Sequence, residues 1–288
     1  MKNVLSNPLN SFFNETRKIR HDHNPRTPGL LPTDDDWARA SFAKTTEVYR
    51  TRFANAAGFT FVFVGSFTVE SIMPLLQTYL GSLPSTGTVG TWKDIGIRSI
   101  PGPFEQTLLR GTDPKSFVLI SLEGPAEWSR DEAHRLYSLG GILQRALIDK
   151  LRLELGGIYT VQVSASLSKE PYQHFSVDLT IPCAPDNVDK LVAATYGEIN
   201  RLRQEGLKPE EIQKEAEAQR RRFESEKEEN YSWAWKLEKI YRDGESFTRI
   251  SNPEELVGLV TAESLKPLAV KYLDPTKAIR FTMLPEKK

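Results

Sequence analysis

Arg152 and Tyr159 are the pair in this sequence whose types and spacing best suit chemistry. They stand in the run Leu151-Arg-Leu-Glu-Leu-Gly-Gly-Ile-Tyr159. Arg152 falls in the last turn of a long helical pattern and Tyr159 at the start of a strand. Gly156 and Gly157 turn the chain sharply between them. An arginine offers fixed N–H donors and a phenol offers a hydroxyl. Aimed at one cavity, they would grip a peptide carbonyl or a developing oxyanion. The same spacing also lets Arg152 satisfy the carbonyls at the helix end while Tyr159 packs in the core, and spacing alone favours that ordinary arrangement.

Other chemical signals are thin. No H-E-x-x-H or H-x-x-E-H occurs, so the helical pair of imidazoles with a carboxylate that makes a zinc site is missing. His21 and His23, with Asp22 between, would converge only on an extended segment and read as a polar loop. His134 and His174 read as structural or surface histidines. Ser166 and Lys169 spell S-x-x-K without its companion motifs. Cys183 follows a proline at a strand end and reads as an ordinary thiol. Residues 83–87 spell LPSTG, yet no hydrophobic tail follows, and they read as linker. Arg220, Arg221 and Arg222 are surrounded by glutamates, as on a solvated, salt-bridged helix.

Composition narrows the field further. Lys plus Arg and Asp plus Glu are both 38, so the net charge is zero, which disfavours a nucleic-acid-coating protein. One cysteine excludes an intramolecular disulfide framework. The longest apolar run, FTFVFV at 59–64, is far short of the ~20 residues of a membrane helix. No apolar run of signal-peptide length opens the chain. The expectation is a soluble chain, either cytoplasmic or a piece of a larger exported protein, because its opening reads as helix and loop from the middle of a domain.

The elements that would position the pair follow from pattern. A helix is expected at 8–19. Thr33 caps an acidic first turn, and a helix should run over 34–52. The run within 58–65 reads as a buried strand. Thr68 caps a helix that stops at Gly81, and Gly, Pro, Ser and Thr then mark a linker. Strands are expected at 104–110 and 116–122, a long helix from Ser129 to about Leu155, then strands at 159–168 and 174–182. Helices at 187–205, 208–229, 231–242 and 262–272 precede a last strand at 278–284. This describes an α+β fold, an antiparallel sheet with helices packed on it.

Two stretches resemble a known family. A helix, then L-R-x-x-L-G-x-x-Y at 151–159, then an alternating strand is similar to the C-terminal, non-zinc half of the M16 metallopeptidases, the pitrilysin, insulin-degrading enzyme and processing-peptidase group. The stretch FTFVFVGSFTVESIMPLLQTYLGSLPSTG resembles the close of one of that family's α/β domains, and the segment ending YRTRFANAAGF resembles the helix before it. The likeness covers essentially the whole chain.

The resemblance implies the LuxS/MPP-like metallohydrolase fold, in repeated domains that form two halves around a peptide. It implies residues 1–85 as the back part of an incomplete M16-like α/β domain, 86–103 as a linker and 104–288 as a complete C-terminal α+β domain. It implies that the first half carries H-x-x-E-H and zinc, absent here, so that this chain holds no catalytic residue, binds no metal and is inactive alone. Arg152 and Tyr159 fall on the family's substrate-binding positions. The implied function is the substrate-binding part of a bacterial zinc metalloendopeptidase that hydrolyses peptides. The alternative is a non-catalytic structural or partner subunit of an M16-like assembly. The implied partners are a peptide and the zinc-bearing N-terminal half, in the same chain or a second subunit, with neither nucleic acid nor a membrane span. A periplasmic or cell-envelope parent in a Gram-negative bacterium is implied as well.

Overall fold

A computed structural model describes residues 4–87, 89–154, 160–244 and 246–286. Its contacts group the chain into two compact units. One comprises Met1–Leu31, Asp94–Gln219 and Glu254–Lys288, and the other Pro32–Lys93 and Arg220–Pro253. The first helix groups with the sheet, and residues 220–253 group with 32–93.

In the first unit, α1 (Pro8–Arg20) starts where the Asn7 side chain accepts from the Leu9 and Asn10 amides. The strands are β1 (Phe104–Leu109), β2 (Ser116–Pro125), β3 (Gln162–Ser168), β4 (His174–Cys183) and β5 (Ile279–Leu284), all close to their expected places. They form one sheet in the order β1-β5-β2-β4-β3. The β1–β5 pair is parallel and the other pairs are antiparallel. The α+β expectation holds.

Helices cover both faces of this sheet. On one face lie α5 (Arg130–Ile148), α6 (Val188–Glu205) and α11 (Ala262–Tyr272). Leu136, Leu139, Leu143 and Leu147 of α5 join Val118, Ile120 and Leu122 of β2 and Val177, Leu179 and Ile181 of β4 in one core. Each leucine buried this way contributes about 1.5–3 kcal/mol. On the other face Phe12 of α1 is wholly buried with Leu119, Phe281 and Met283. Coverage from both sides explains why β2 is buried almost continuously rather than at alternate positions. Arg20 at the end of α1 adds a polar clasp. Its guanidinium donates to both Glu123 oxygens at 2.8 and 2.7 Å and lies 2.9 Å from Asp178.

The second unit contains α2 (Asp34–Arg39), α3 (Phe42–Phe53), α4 (Val69–Tyr79), α8 (Asn230–Asp243) and α9 (Phe247–Ser251). Two expectations fail here. The helix over 34–52 is broken, because Ala40 turns extended (ψ 130°) and the Ser41 side chain caps a new helix at the Lys44 amide. The buried strand at 58–65 is absent. Among the described residues, 59–64 pair with no strand, and Phe59, Phe61 and Phe63 are 44, 44 and 47% exposed. A strand exists only with a partner for its backbone groups, and the five strands found among the described residues all lie within 104–284. The helix α7 (Pro209–Glu226) and the short α10 (Pro253–Val257) are the remaining α-helices among the described residues. No helix among the described residues is long and apolar enough to cross a membrane.

Candidate functional site

The site predicted from sequence lies where α5 gives way to β3. Ser129 opens α5, its side chain accepting from the Glu132 amide, with Asp131 and Glu132 in the first turn. The helix then runs with its leucines on the sheet to Ile148. Beyond Ile148 it does not simply stop. Asp149–Glu154 continue as a π-helix. Such turns are rare, occur mostly as single insertions and concentrate at functional sites. Arg152 falls within this π-helical turn. Its side chain and the whole of Tyr159 lie outside the described residues, so their meeting on one cavity is an expectation carried forward below.

The frame around that turn is well defined. Leu151, immediately before Arg152, is fully buried, and so is Val161, just past Tyr159. The Gln144 side chain accepts from the Val163 amide at 2.9 Å, fastening α5 to the first residues of β3. Gly140 lets helix and strand approach. A Cβ at that position would stand 2.6 Å from the Ala165 Cβ. Leu151 and Val161, on either side of that segment, are thus each anchored in packed core.

A second polar cluster braces α5 from the side of α7. Glu215, 2% exposed, pairs with Arg145 through a short charge-assisted contact and accepts from Gln219 Nε2 at 2.6 Å. The same Gln219 nitrogen donates to Ser138 Oγ at 2.9 Å, and Gln219 Oε1 lies 3.2 Å from His134 Nε2. A Cβ at Gly141 would stand 2.9 Å from Glu215 Oε2, so this glycine makes room for the carboxylate. Sequence reasoning read His134 as a structural or surface histidine, took Glu215 only as one glutamate of a solvated helix and did not single out Gln219. The available signal was a glutamate and a glutamine at i and i+4 on a charged helix, which reads as solvated surface until the partner helix is known.

The remaining candidates take structural places. Tyr172 stacks on the His174 ring at 4.3 Å, and its carbonyl lies 2.8 Å from His174 Nδ1. His21 closes α1, and burial beside Arg20 pushes its pKa down. Asp22 and His23 occupy a tight turn, both at φ 51°. Ser166 sits opposite Ser176 on β4, while the Lys169 ammonium lies 5.4 Å from the Trp128 ring centre. Burial raises the Cys183 thiol to about 11, the wrong direction for a nucleophile at neutral pH. In the LPSTG stretch, the Pro84 carbonyl accepts from the Ala56 amide at 2.8 Å. Arg220, Arg221 and Arg222 lie on α7.

Among the described residues, no three His, Cys, Asp or Glu side chains cluster so as to hold a metal ion. The described donor set does not fit a zinc centre.

A five-stranded sheet sandwiched by helices, with a π-turn at the end of its longest helix, defines the class to which the comparisons then give a family. Residues 44–219 match the family model described as the peptidase M16 inactive domain. The chain belongs to the M16 peptidase family, as an inactive domain. Its relatives include a protein named "Zinc protease PQQL-like" of Arabidopsis thaliana, 28% identical over 59% of this chain and 19% of the relative. Another, from Haemophilus influenzae, is named "Probable zinc protease PqqL" and is 22% identical over 94% of this chain and 29% of the relative. The solved periplasmic protease PqqL of Escherichia coli has the same fold, with a TM-score of 0.80 at 18% identity, over 99% of this chain and 31% of that one. The chain therefore spans less than a third of the length of these proteins.

Proposed function

We propose that this chain is the substrate-binding, non-catalytic part of an M16 zinc metalloendopeptidase that hydrolyses peptides. The zinc belongs to the other, N-terminal half, in the same chain or in a second subunit. Arg152 donates to a substrate carbonyl, and the Tyr159 hydroxyl adds a second hydrogen bond as charge develops on that oxygen. The observation that most supports this is the π-helical turn at Asp149–Glu154, which breaks an otherwise regular core helix at the arginine that the family pattern marks. The zinc-protease names of the relatives and the family match support the reaction class.

The same reading treats residues 1–85 as the back part of one M16-like domain, 86–103 as a linker and 104–288 as the complete last domain. Contacts between α1 and the sheet then join two consecutive domains rather than parts of one.

The test uses the complete peptidase containing these residues. Arg152→Ala and Tyr159→Phe should each lower peptide turnover by roughly 100-fold, the typical effect of losing one oxyanion donor. Zinc content should be unchanged. Wild-type turnover in both variants refutes the assignment. Metal analysis of the 288-residue chain by itself should find less than stoichiometric zinc, and one tight zinc per chain would overturn the division of labour.

A further inference from the structure

Besides its leucine face, α5 presents a second stripe of residues. His134, Ser138, Gly141 and Arg145 recur at intervals of four, three and four, so they share one side of the helix. Each of them meets α7. Gln219 reaches His134 and Ser138, while Glu215 lies against Gly141 and pairs with Arg145. The two helices run antiparallel here, because the contacts step back along α5 as α7 advances from Glu215 to Gln219.

Glu215 supplies the firmest hold on this stripe. Its carboxylate is 2% exposed, whereas the Arg145 side chain is 35% exposed. An arginine that reaches solvent is ordinarily free to move. A buried carboxylate that loses its cation, however, has no water to replace it, so the pair stays closed. Arg145 is also where the backbone ladder changes. The Asp149 amide donates to the carbonyls of both Arg145 and Ala146, and Asp149 is the first residue of the π-helical turn. The bond to Arg145 spans four residues, as in an α-helix, and those of the turn beyond it span five. The residue clamped by α7 and the point where the register changes therefore coincide.

This coincidence bears on Arg152. Seven residues make roughly two turns of an α-helix, so in an unbroken helix Arg152 would repeat the place of Arg145 and continue the stripe that faces α7. A π-turn takes more residues to come round, and Arg152 leaves that stripe. Nothing within Asp149–Glu154 dictates the change, since the segment holds neither proline nor glycine. The side-on hold from α7, one turn earlier, is the feature that marks where it begins.

We infer that Glu215 is a positioning residue for Arg152: by holding Arg145 it fixes the point at which α5 passes into the π-turn, and with it the direction in which Arg152 leaves the helix. The value of that direction to catalysis rests on the reading under Proposed function. The hold on the turn rests on α5 and α7 alone.

Kinetics and crystallography of the complete peptidase test it together. Glu215→Ala should lower kcat by at least ~10-fold, within the ~100-fold that a small misplacement can cost, with KM little changed and zinc content intact. The combined variant Arg145→Met, Glu215→Met removes both charges at once, so it avoids an unpaired buried carboxylate and should fold even if Glu215→Ala does not. It should show the same loss of kcat at near wild-type stability. A merely structural role would not produce the coupling expected with Arg152. In an Arg152→Ala background, either variant should cost less than ~2-fold more, because the group it positions is gone. Losses that multiply, or wild-type kcat in both variants, overturn the inference. A crystal structure of either variant should show the π-turn shifted or replaced by regular α-helix through residue 152. An unchanged turn at Asp149–Glu154 overturns the hold on it, whatever the kinetics. If the turn moves but Arg152→Ala keeps full turnover, the functional reading fails and the hold stands. If turnover depends on Arg152 while the turn is unchanged and the losses multiply, the positioning role fails and the functional reading stands.

Discussion

Glu132 shows how a single carboxylate ties two helices of the core layer together. It lies in the first turn of α5, and its Oε1 accepts from Lys271 Nζ at 2.7 Å and from the Tyr272 hydroxyl, both at the end of α11. Burial disfavours the charged form, but the hydrogen bonds from Lys271 and Tyr272 outweigh it and hold the carboxyl below its ordinary range. A carboxylate whose pKa is lower in the folded state stabilises the fold at pH values above the unfolded pKa, and that contribution fades as pH falls through the folded pKa. Glu132→Gln should therefore cost about 1 kcal/mol at pH 7, a modest value because Lys271 is half exposed and screened. Below the ordinary glutamate range the wild type and the variant should converge. Urea titrations at pH 7 and pH 3 check this, and a constant gap at both would refute it. In the sequence Glu132 reads only as a carboxylate three residues after a candidate cap at Ser129, because a partner at position 272 is unreadable without the fold.

At the scale of elements, α5 illustrates what pattern reading captures and what it misses. Its leucine spacing and its start at Ser129 are legible, since periodicity and capping are local properties, whereas the regular helix expected to run to about Leu155 ends at Ile148. The π-turn was not, because Asp149–Glu154 carry no residue that forces it. The break at Ala40 and Ser41 was missed for a different reason, as Ser41 is equally at home inside a helix or capping one. Residues 59–64 have a strand's composition without a strand's neighbours, and composition cannot supply those. Gly140 gives a direct test of helix-on-strand packing. A methyl there would lie 2.6 Å from the Ala165 Cβ, closer than real Cβ atoms come. Gly140→Ala should thus destabilise the chain by about 1–3 kcal/mol, the usual cost of overpacking, although alanine is the better helix former. Gly140→Ala with Ala165→Gly moves the methyl across the contact and should recover most of the loss. Additive losses in the double variant, measured by urea denaturation, would show that the contact is not the cause.

At the scale of the molecule, the first unit is assembled from three separate stretches of chain, of which Met1–Leu31 is the most remote in sequence from the sheet it covers. Its hold is both apolar and ionic. Phe12 is fully buried against Phe281 and Met283, and Phe12 and Phe13 meet the Phe117 ring edge-on at 5.9 and 5.1 Å. Arg20 reaches Glu123 and Asp178 with three donor contacts of 2.7 to 2.9 Å, and the Ile100 amide donates to its carbonyl at 2.8 Å. The segment that follows, 32–93, belongs to a unit whose described residues bury no apolar side chain, so its backbone should open to a protease well before the sheet does. Limited digestion should accordingly cut within 32–93 first. The cut should not release the N-terminal peptide. The fragment carrying α1 should co-elute with the fragment carrying β1 to β5 in native size exclusion and separate from it in denaturant. Phe12→Ala, which removes a buried aromatic worth about 3–5 kcal/mol, should let the two fragments part under native conditions. Co-elution of the Phe12→Ala fragments would mean that the Arg20 clasp suffices, and immediate release from the wild type would mean that chain connectivity, rather than packing, keeps α1 on the sheet.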